Sequence, residues 1–529
     1  LCGRPNWLTG RAKGFFSAPV GQSTTDKICQ QDCCFPLEIL RKLNIGVSAG
    51  KMYNTFEFFG ERSMDKRFDM AVIGGGPGGY VAALRGAQLG KKVVLFEKEA
   101  LGGTCMNWGC IPAKFLLYQT KIFQEIKEDK SIDGPLDALK ISWERVQKQR
   151  IEIVKRFVRG IEFLLKKNGV HVVKKEAEVL DDKSIEIHSE GEKQIFSAEK
   201  IILATGSKPS ELPFIKPNGS EIITSREALS FVEIPEDMVV IGAGAIGLEM
   251  GTLYQRLGCR VSVLEILPTI LPGNDHEMVA RLERRLKLQG MKIYTRMEVQ
   301  ELSLERKKVV LKGTCLRDKK PFAFEAQKVL LAVGRNPNSE AFRKRFDGFV
   351  DKKGFVKINP FLETDIPDVY AIGDLIGGKL LAHKASHEGI IATENAWGSR
   401  QEIRYDALPL AVFTEPEYAS VGLTQEEAVD RGIKLQIGVF SLQANGRALT
   451  MGKPEGMVKI IADEKDRIIG AHILAPSASE LLGELTLSIT KGMSLQDISS
   501  LYHIHPTLSE SVMEAALKAK GKALHVLNI

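Results

Sequence analysis

The sequence predicts an α/β chain of two similar doubly wound units, each a parallel sheet with helices on its faces, followed by a smaller α+β unit. Three observations carry this. Short apolar runs such as Ala71-Val72-Ile73 and Met238-Val239-Val240-Ile241 have the unbroken hydrophobicity of strands covered on both faces. Each runs into a glycine cluster and then a helical pattern, and the second cluster lies 168 residues beyond the first (Gly242 against Gly74). Repetition at that interval means two like domains rather than a solenoid. After about residue 405 the texture changes: 457–461 and 468–474 read as a hairpin around Asp463-Glu464-Lys465-Asp466, with helical segments after it.

Composition bounds the function. The 529 residues are 44% hydrophobic and 26% charged, as in ordinary globular domains. At about 150 residues per domain the length allows three or four cores. No run reaches the roughly 18 apolar residues of a membrane span, which predicts a soluble protein with no membrane partner. The net charge of +7 is spread along the chain. A nucleic-acid binder would gather it on one face, so none is expected. Eight cysteines (Cys2, Cys29, Cys33, Cys34, Cys105, Cys110, Cys259, Cys315) are too few for a disulfide scaffold.

Residues 1–63 differ from the rest. They hold four of the cysteines and show no sustained period, and Arg4, Arg11 and Lys13 precede the first acid, Asp26. The first reading is an upstream extension or gene-model artefact, with Met64 a bacterial-type start and a cytoplasmic protein. The alternative is a transit segment, basic and acid-poor, addressing the mitochondrial matrix or another organelle. The expected divisions are 64–213 and 335–405 for the two parts of a first nucleotide domain, 214–334 for a second, and 406–529 for the α+β unit. Within the first part, 115–128 and 143–165 have helical spacing, and 185–187 and 201–203 read as strands.

The glycine clusters carry chemistry. Gly74, Gly76 and Gly79 fill G-x-G-x-x-G, and Gly242-Ala243-Gly244-Ala245-Ile246-Gly247 repeats it. Such glycines serve a tight turn, backbone approach to a pyrophosphate, and close helix packing, with the phosphates on the helix N-terminus. The acid that binds a ribose diol is expected about 20 residues on. Glu97 and Glu265 each stand 18 residues after the third glycine. Two complete copies imply two Rossmann-like sites and two dinucleotides. Glu265 would bond a free 2′-hydroxyl and repel a 2′-phosphate, so the second cofactor is expected to be NAD.

Between the copies lies Gly102-Gly103-Thr104-Cys105-Met106-Asn107-Trp108-Gly109-Cys110-Ile111-Pro112-Ala113-Lys114. Two cysteines five apart can close a disulfide over one helical turn, and a helix N-terminus favours the thiolate. The alternatives are buried structural cysteines or metal ligands. A metal usually needs four ligands, and no second Cys or His pair stands nearby in sequence, so no metal is expected.

With these motifs the chain resembles the flavin-dependent disulfide oxidoreductases with a C-x4-C pair, from about residue 67 to the end. Within that class it looks like the dihydrolipoyl dehydrogenases. Further matches are Ala204-Thr205-Gly206-Ser207, Val333-Gly334-Arg335-Asn336-Pro337, Tyr370-Ala371-Ile372-Gly373-Asp374, Leu381-Ala382-His383-Lys384 and His503-Ile504-His505-Pro506-Thr507-Leu508-Ser509-Glu510. The resemblance implies FAD at the first site, held by Gly74, Gly76, Gly79, Glu97, Lys114, Thr205, Gly206, Ser207, Asp374, Leu381, Ala382 and His383. It implies NAD against Gly242 through Gly247, Leu248, Glu249, Glu265, Val299 and Gly334. Lys114 would pair with Glu249 close to the flavin. Cys105 would exchange with substrate and Cys110 would face the flavin. His505, oriented by Glu510, would be the acid–base group and reach the disulfide of the other subunit of a homodimer, whereas His503 is expected to be structural. The α+β unit would then be the dimerisation domain. The implied partners are lipoyl domains of a 2-oxo acid dehydrogenase acyltransferase, or the glycine cleavage H protein.

Sister enzymes differ at readable positions. Glutathione-type reductases use NADPH and want arginines around the position of Glu265. Mercuric reductases and large thioredoxin reductases carry a second C-terminal redox pair, whereas the last cysteine here is Cys315. A catalytically silent docking subunit has no need of Cys105, Cys110, His505 and Glu510 together.

Overall fold

The computed structural model describes residues 66–528 except 130, 190, 191, 306, 307 and 347. The readings of residues 1–63 lie outside the described residues. Two parallel sheets repeat one plan. In the first, Arg67–Ile73 is flanked by Val93–Phe96 and then His171–Val173 on one side, and by Glu192–Leu203 and then Val369–Ala371 on the other. In the second, Asp237–Ile241 is flanked by Arg260–Glu265 and Lys292–Thr295, and by Lys328–Leu331 and Ile222–Ile223. Their central strands are fully covered: Met70, Val72, Val94, Leu95, Val240 and Val263 are all buried.

The glycine turns of the two sheets coincide in detail. Gly74 N donates to Phe96 O and Gly242 N to Leu264 O, each at 2.8 Å. A Cβ on Gly74 would meet Ala204 O at 2.3 Å, and one on Gly242 would meet Ala332 O at 2.4 Å. Both glycines also have positive φ, +106° and +102°, which other residues rarely adopt. Helices Pro77–Gln88 and Ala245–Arg256 follow, the first with proline in its first turn, where the missing N–H costs nothing.

The α+β unit is a five-stranded antiparallel sheet, ordered Leu410–Val412, Glu417–Gly422, Ile468–Ala475, Met457–Asp463, Leu435–Ser441. The expected hairpin is its centre. Helix Glu510–Ala519 lies so close that a Cβ on Gly438 would meet Ala515 O at 1.8 Å. One antiparallel sheet escaped the sequence reading: Met297–Glu305, Lys308–Cys315 and Pro321–Ala326. Its first strand alternates apolar and polar residues on either side of a bulge between Val299 and Glu301, where Gln300 and Glu301 stand together and shift the period by one. Among the described residues no helix is long and apolar enough to cross a membrane.

Helix Ala382–Ala396 packs on helix Pro77–Gln88 through backbone contact. A Cβ on Gly389 would meet Gly78 O at 2.5 Å. Gly389→Ala is therefore expected to destabilise the protein by about 1–3 kcal/mol, the usual cost of overpacking. Gly160 lies in helix Trp143–Lys167 with open space around it. Gly160→Ala is expected to stabilise by about 0.5–1 kcal/mol through helix propensity. Denaturant unfolding of both variants checks the contrast, and equal effects would contradict it.

Candidate active site

The two acid residues are built alike. Glu97 Oε2 accepts the Gly75 N–H and Glu265 Oε2 accepts the Ala243 N–H, each at 2.7 Å. Their other oxygens accept the N–H two residues on, at Glu99 (2.7 Å) and Leu267 (2.9 Å). These bonds fix each carboxylate beside its glycine turn while each oxygen keeps a further lone pair for a ribose hydroxyl. Gly76 and Gly244 cap their helices with no side-chain bond, and a Cβ on either would find open space. Bare helix N-terminal N–H groups facing open space suit a pyrophosphate. Beside the first turn lies a cavity of about 1200 Å³, lined among others by Gly74, Glu97, Thr205, Lys208 and Asn338. The residues present therefore fit a dinucleotide at both turns.

The far side of the first site is a hydrogen-bonded corner. Thr205 and Asn338 exchange two bonds, 2.8 and 2.9 Å. Ser207 Oγ donates to Asp374 Oδ2 at 2.5 Å, and Arg335 donates to Ser207 Oγ (2.7 Å) and Ser207 O (2.6 Å). Arg335 also lies 3.8 Å from Asp374. The motif at 333–337 contains Arg335, but nothing in its sequence points to a role at this corner. The residue before it, Gly334, has φ +114° and turns the chain there. Leu381 opens helix Ala382–Ala396 without a side-chain cap, while the His383 ring is held by Pro409 O at 2.9 Å. In the second site, Leu248 is fully buried and Val299 nearly so, both as core residues.

The cysteines do not share one continuous helix. Cys105 lies in helix Gly103–Trp108, and Cys110 is the first residue of helix Cys110–Glu128. The break is Gly109. A Cβ there would meet Thr104 O at 2.7 Å and Cys105 Cα at 3.2 Å, so only glycine lets the second helix start against the first. Both cysteines are free thiols and half-buried. A hydrogen bond from the Cys105 thiol lowers the Cys110 pKa to about 7, against burial and with help from Lys114. The same bond, with burial, raises the Cys105 thiol. Thus the pair distinguishes its members: Cys110 is the ready thiolate, at a helix N-terminus.

Lys114, one turn after Cys110, binds both carboxylate oxygens of Glu249, at 2.8 and 2.7 Å. Glu249 is buried and also accepts the Phe413 N–H at 3.1 Å, and the Lys114 ammonium lies over the Phe413 ring. The structure thus spends Glu249 on Lys114 and Phe413. Elsewhere, His505 Nδ1 stands 2.9 Å from Glu510 Oε1. Burial raises the Glu510 carboxyl, but the Thr507 N–H and the His505 ring outweigh it and hold it below the ordinary value. The His505 side chain is 79% exposed, and no hydrogen bond joins it to either cysteine of its own chain. The His503 side chain is instead buried, 3.4 Å from Glu484. Among the described residues no cluster of His, Cys, Asp or Glu could hold a metal ion.

Two glycine turns that fit dinucleotides, with a paired dithiol between them, define a disulfide oxidoreductase. The chain belongs to the pyridine nucleotide-disulphide oxidoreductases: that family's profile matches residues 68–389, and its dimerisation domain matches residues 408–516. The protein is a flavin disulfide oxidoreductase that binds FAD and NAD(P) and carries a dimerisation domain. It is 40% identical over 462 residues to the dihydrolipoyl dehydrogenase of Bacillus subtilis, covering 87% of this chain and 98% of that one. The mitochondrial dihydrolipoyl dehydrogenase 2 of Arabidopsis thaliana is 39% identical over 87% of this chain and 91% of its own. Among solved structures, LpdA of Mycobacterium tuberculosis superposes with a TM-score of 0.78 at 26% identity, over 85% of this chain and 99% of that one.

The dithiol geometry makes a pH prediction. In the reduced protein, thiolate absorbance should rise with a midpoint of about pH 7, assigned to Cys110. The folded value lies below the ordinary one, so this thiolate stabilises the reduced fold above the ordinary thiol range and ceases to do so as pH falls through about 7. Lys114→Met should move the midpoint up by roughly one pH unit or more, because it leaves Glu249 unneutralised. A midpoint unmoved in that variant would remove Lys114 from the account.

Proposed function

We propose that the protein is a dihydrolipoyl dehydrogenase, oxidising protein-bound dihydrolipoamide to lipoamide with NAD⁺ as acceptor. The observation that carries the reading is the Cys105–Cys110 pair, with Lys114 and Glu249 behind it and the carboxylate of Glu265 in the second site. The 38–40% identity to dihydrolipoyl dehydrogenases of Bacillus subtilis, Geobacillus stearothermophilus and Arabidopsis supports it.

In the proposed reaction one substrate thiolate attacks Cys105 Sγ of the disulfide, and Cys110 leaves as the thiolate its low pKa favours. The second substrate thiolate attacks the mixed disulfide, closing the lipoamide ring and releasing Cys105. His505 accepts the substrate proton, and Glu510 holds the ring in place and stabilises its charged form. FAD, when bound, supplies the two-electron relay from the reduced pair to NAD⁺. Two electrons and one proton go to NAD⁺, and the second proton goes to solvent.

The exposure of His505, bonded to Glu510 and to neither cysteine of its own chain, supports a homodimer in which each histidine serves the partner's disulfide. Lipoyl domains of a 2-oxo acid dehydrogenase acyltransferase, or the glycine cleavage H protein, would deliver the substrate. The enzyme would sit with its complex, in the cytoplasm of a bacterial-type cell or in an organelle where residues 1–63 serve as a transit segment.

NAD-linked oxidation of dihydrolipoamide, measured beside NADPH-linked reduction of glutathione disulfide, tests the reading. The first is expected and the second is not, because Glu265 repels a 2′-phosphate; the reverse result would mean a glutathione-type reductase. His505→Gln is expected to slow dihydrolipoamide oxidation by about 10²–10⁴-fold with FAD retained. Mixing that variant with Cys105→Ser protein under subunit exchange should restore activity, since one site of each mixed dimer is complete. No recovery in proven mixed dimers would mean that each chain completes its own site.

A further inference from the structure

Helix Ala382–Ala396 buries an ion pair that the proposed reaction does not use. Lys384 is 4% exposed and Glu388, one turn on, is 0% exposed, with Nζ and Oε1 2.8 Å apart. Both charged groups reach the same residue, Gly373, one on each of its two flanking peptide units. Gly373 N donates to Glu388 Oε2 at 2.7 Å, and Lys384 Nζ donates to Gly373 O at 3.2 Å. Tyr405 donates its hydroxyl to Glu388 Oε1 at 2.6 Å. Gly373 has φ +74°, and the next residue is Asp374, whose carboxylate already takes the Ser207 hydroxyl.

A buried ion pair is weak evidence for stability, because apolar side chains of similar volume are often as stable or more so. What distinguishes this one is that it satisfies both hydrogen-bonding groups of a single glycine in an unusual conformation. The following residue, Gly389, is pressed against Gly78 of the helix after the first glycine turn. One helix therefore sets the height of Asp374 relative to that turn.

We propose that Lys384 and Glu388 are positioning residues of the flavin site, clamping Gly373 so that the Asp374 carboxylate is held for a flavin side-chain hydroxyl. The inference rests on the assignment of Asp374 to FAD. It predicts that the clamp can be removed without unfolding the protein, and that FAD affinity then falls.

Lys384→Met with Glu388→Met removes both charges and both bonds to Gly373. Lys384→Met with Glu388→Gln keeps an acceptor for the Gly373 N–H. Asp374→Ala serves as the reference. Each apoprotein, made by stripping FAD from folded holoprotein, is titrated with FAD by flavin fluorescence, with circular dichroism as the fold control. The double methionine variant is expected to raise the FAD dissociation constant by roughly 10- to 100-fold with native circular dichroism, and the glutamine variant to recover part of the loss. If Asp374→Ala weakens FAD while the double methionine variant stays within about threefold of the unaltered protein, the clamp is overturned. If Asp374→Ala binds FAD as the unaltered protein does, the flavin-site assignment beneath it is overturned. Should the double methionine chain fail to reach native circular dichroism, the glutamine variant decides: roughly three- to tenfold weaker binding supports the clamp, and unaltered affinity overturns it.

Discussion

Everything at the centre of this molecule depends on one charge pair, Lys114 with Glu249. It joins helix Cys110–Glu128, which begins with the thiol of lowered pKa, to helix Ala245–Arg256, which begins at the second glycine turn. The pair crosses between the two parallel sheets, so the dithiol and the second glycine turn are held in one frame. Two turns further along both helices a second crossing repeats it. Glu415 gathers Lys121 at 3.2 Å, Arg256 at 3.5 Å and Lys453 at 3.1 Å. Those cations overcome burial and hold the Glu415 carboxyl below its ordinary value. The short run from Phe413 to Glu415 belongs to the α+β unit and touches both crossings, through the Phe413 N–H on Glu249 and through Glu415 itself.

This frame explains the asymmetry of the cysteines. A disulfide enzyme needs one sulfur that leaves readily and one that meets substrate. The helix break at Gly109 sets Cys110 at a helix N-terminus with Lys114 behind it, and leaves Cys105 in the short preceding helix as the hydrogen-bond donor. Lys114 lowers the pKa of Cys110 while Glu249 raises it, so the pair tempers the thiolate rather than fixing it at an extreme.

Much of this was legible in the sequence, for a physical reason. The glycine turns, Glu97 and Glu265 are local devices, in which a strand, a turn and the acid ending the neighbouring strand lie within about 30 residues. Cys105, Cys110 and Lys114 are nearly contiguous. The exclusion of a continuous helical turn between the cysteines was not legible, since Gly109 acts through a contact with Thr104 O that only the fold reveals. Arg335 and Glu415 were not legible because their partners are distant in sequence: Arg335 lies 128 residues from Ser207, and Glu415 lies 159 from Arg256. The antiparallel sheet from Met297 to Ala326 was not legible because the alternation of its first strand slips by one residue at a bulge between Val299 and Glu301, and Lys308–Cys315 keeps no regular alternation.

The central claim is that electrons from a dithiol substrate enter at Cys105 and Cys110 before any other group. Anaerobic titration of the oxidised flavoprotein with dihydrolipoamide, with thiol labelling and peptide mapping after each addition, tests this most directly. The account predicts that the first equivalent exposes two thiols per chain, at Cys105 and Cys110, with Cys105 labelled by a bulky reagent first and the flavin still oxidised. Bleaching of the flavin by the first equivalent, with neither cysteine labelled, would contradict it.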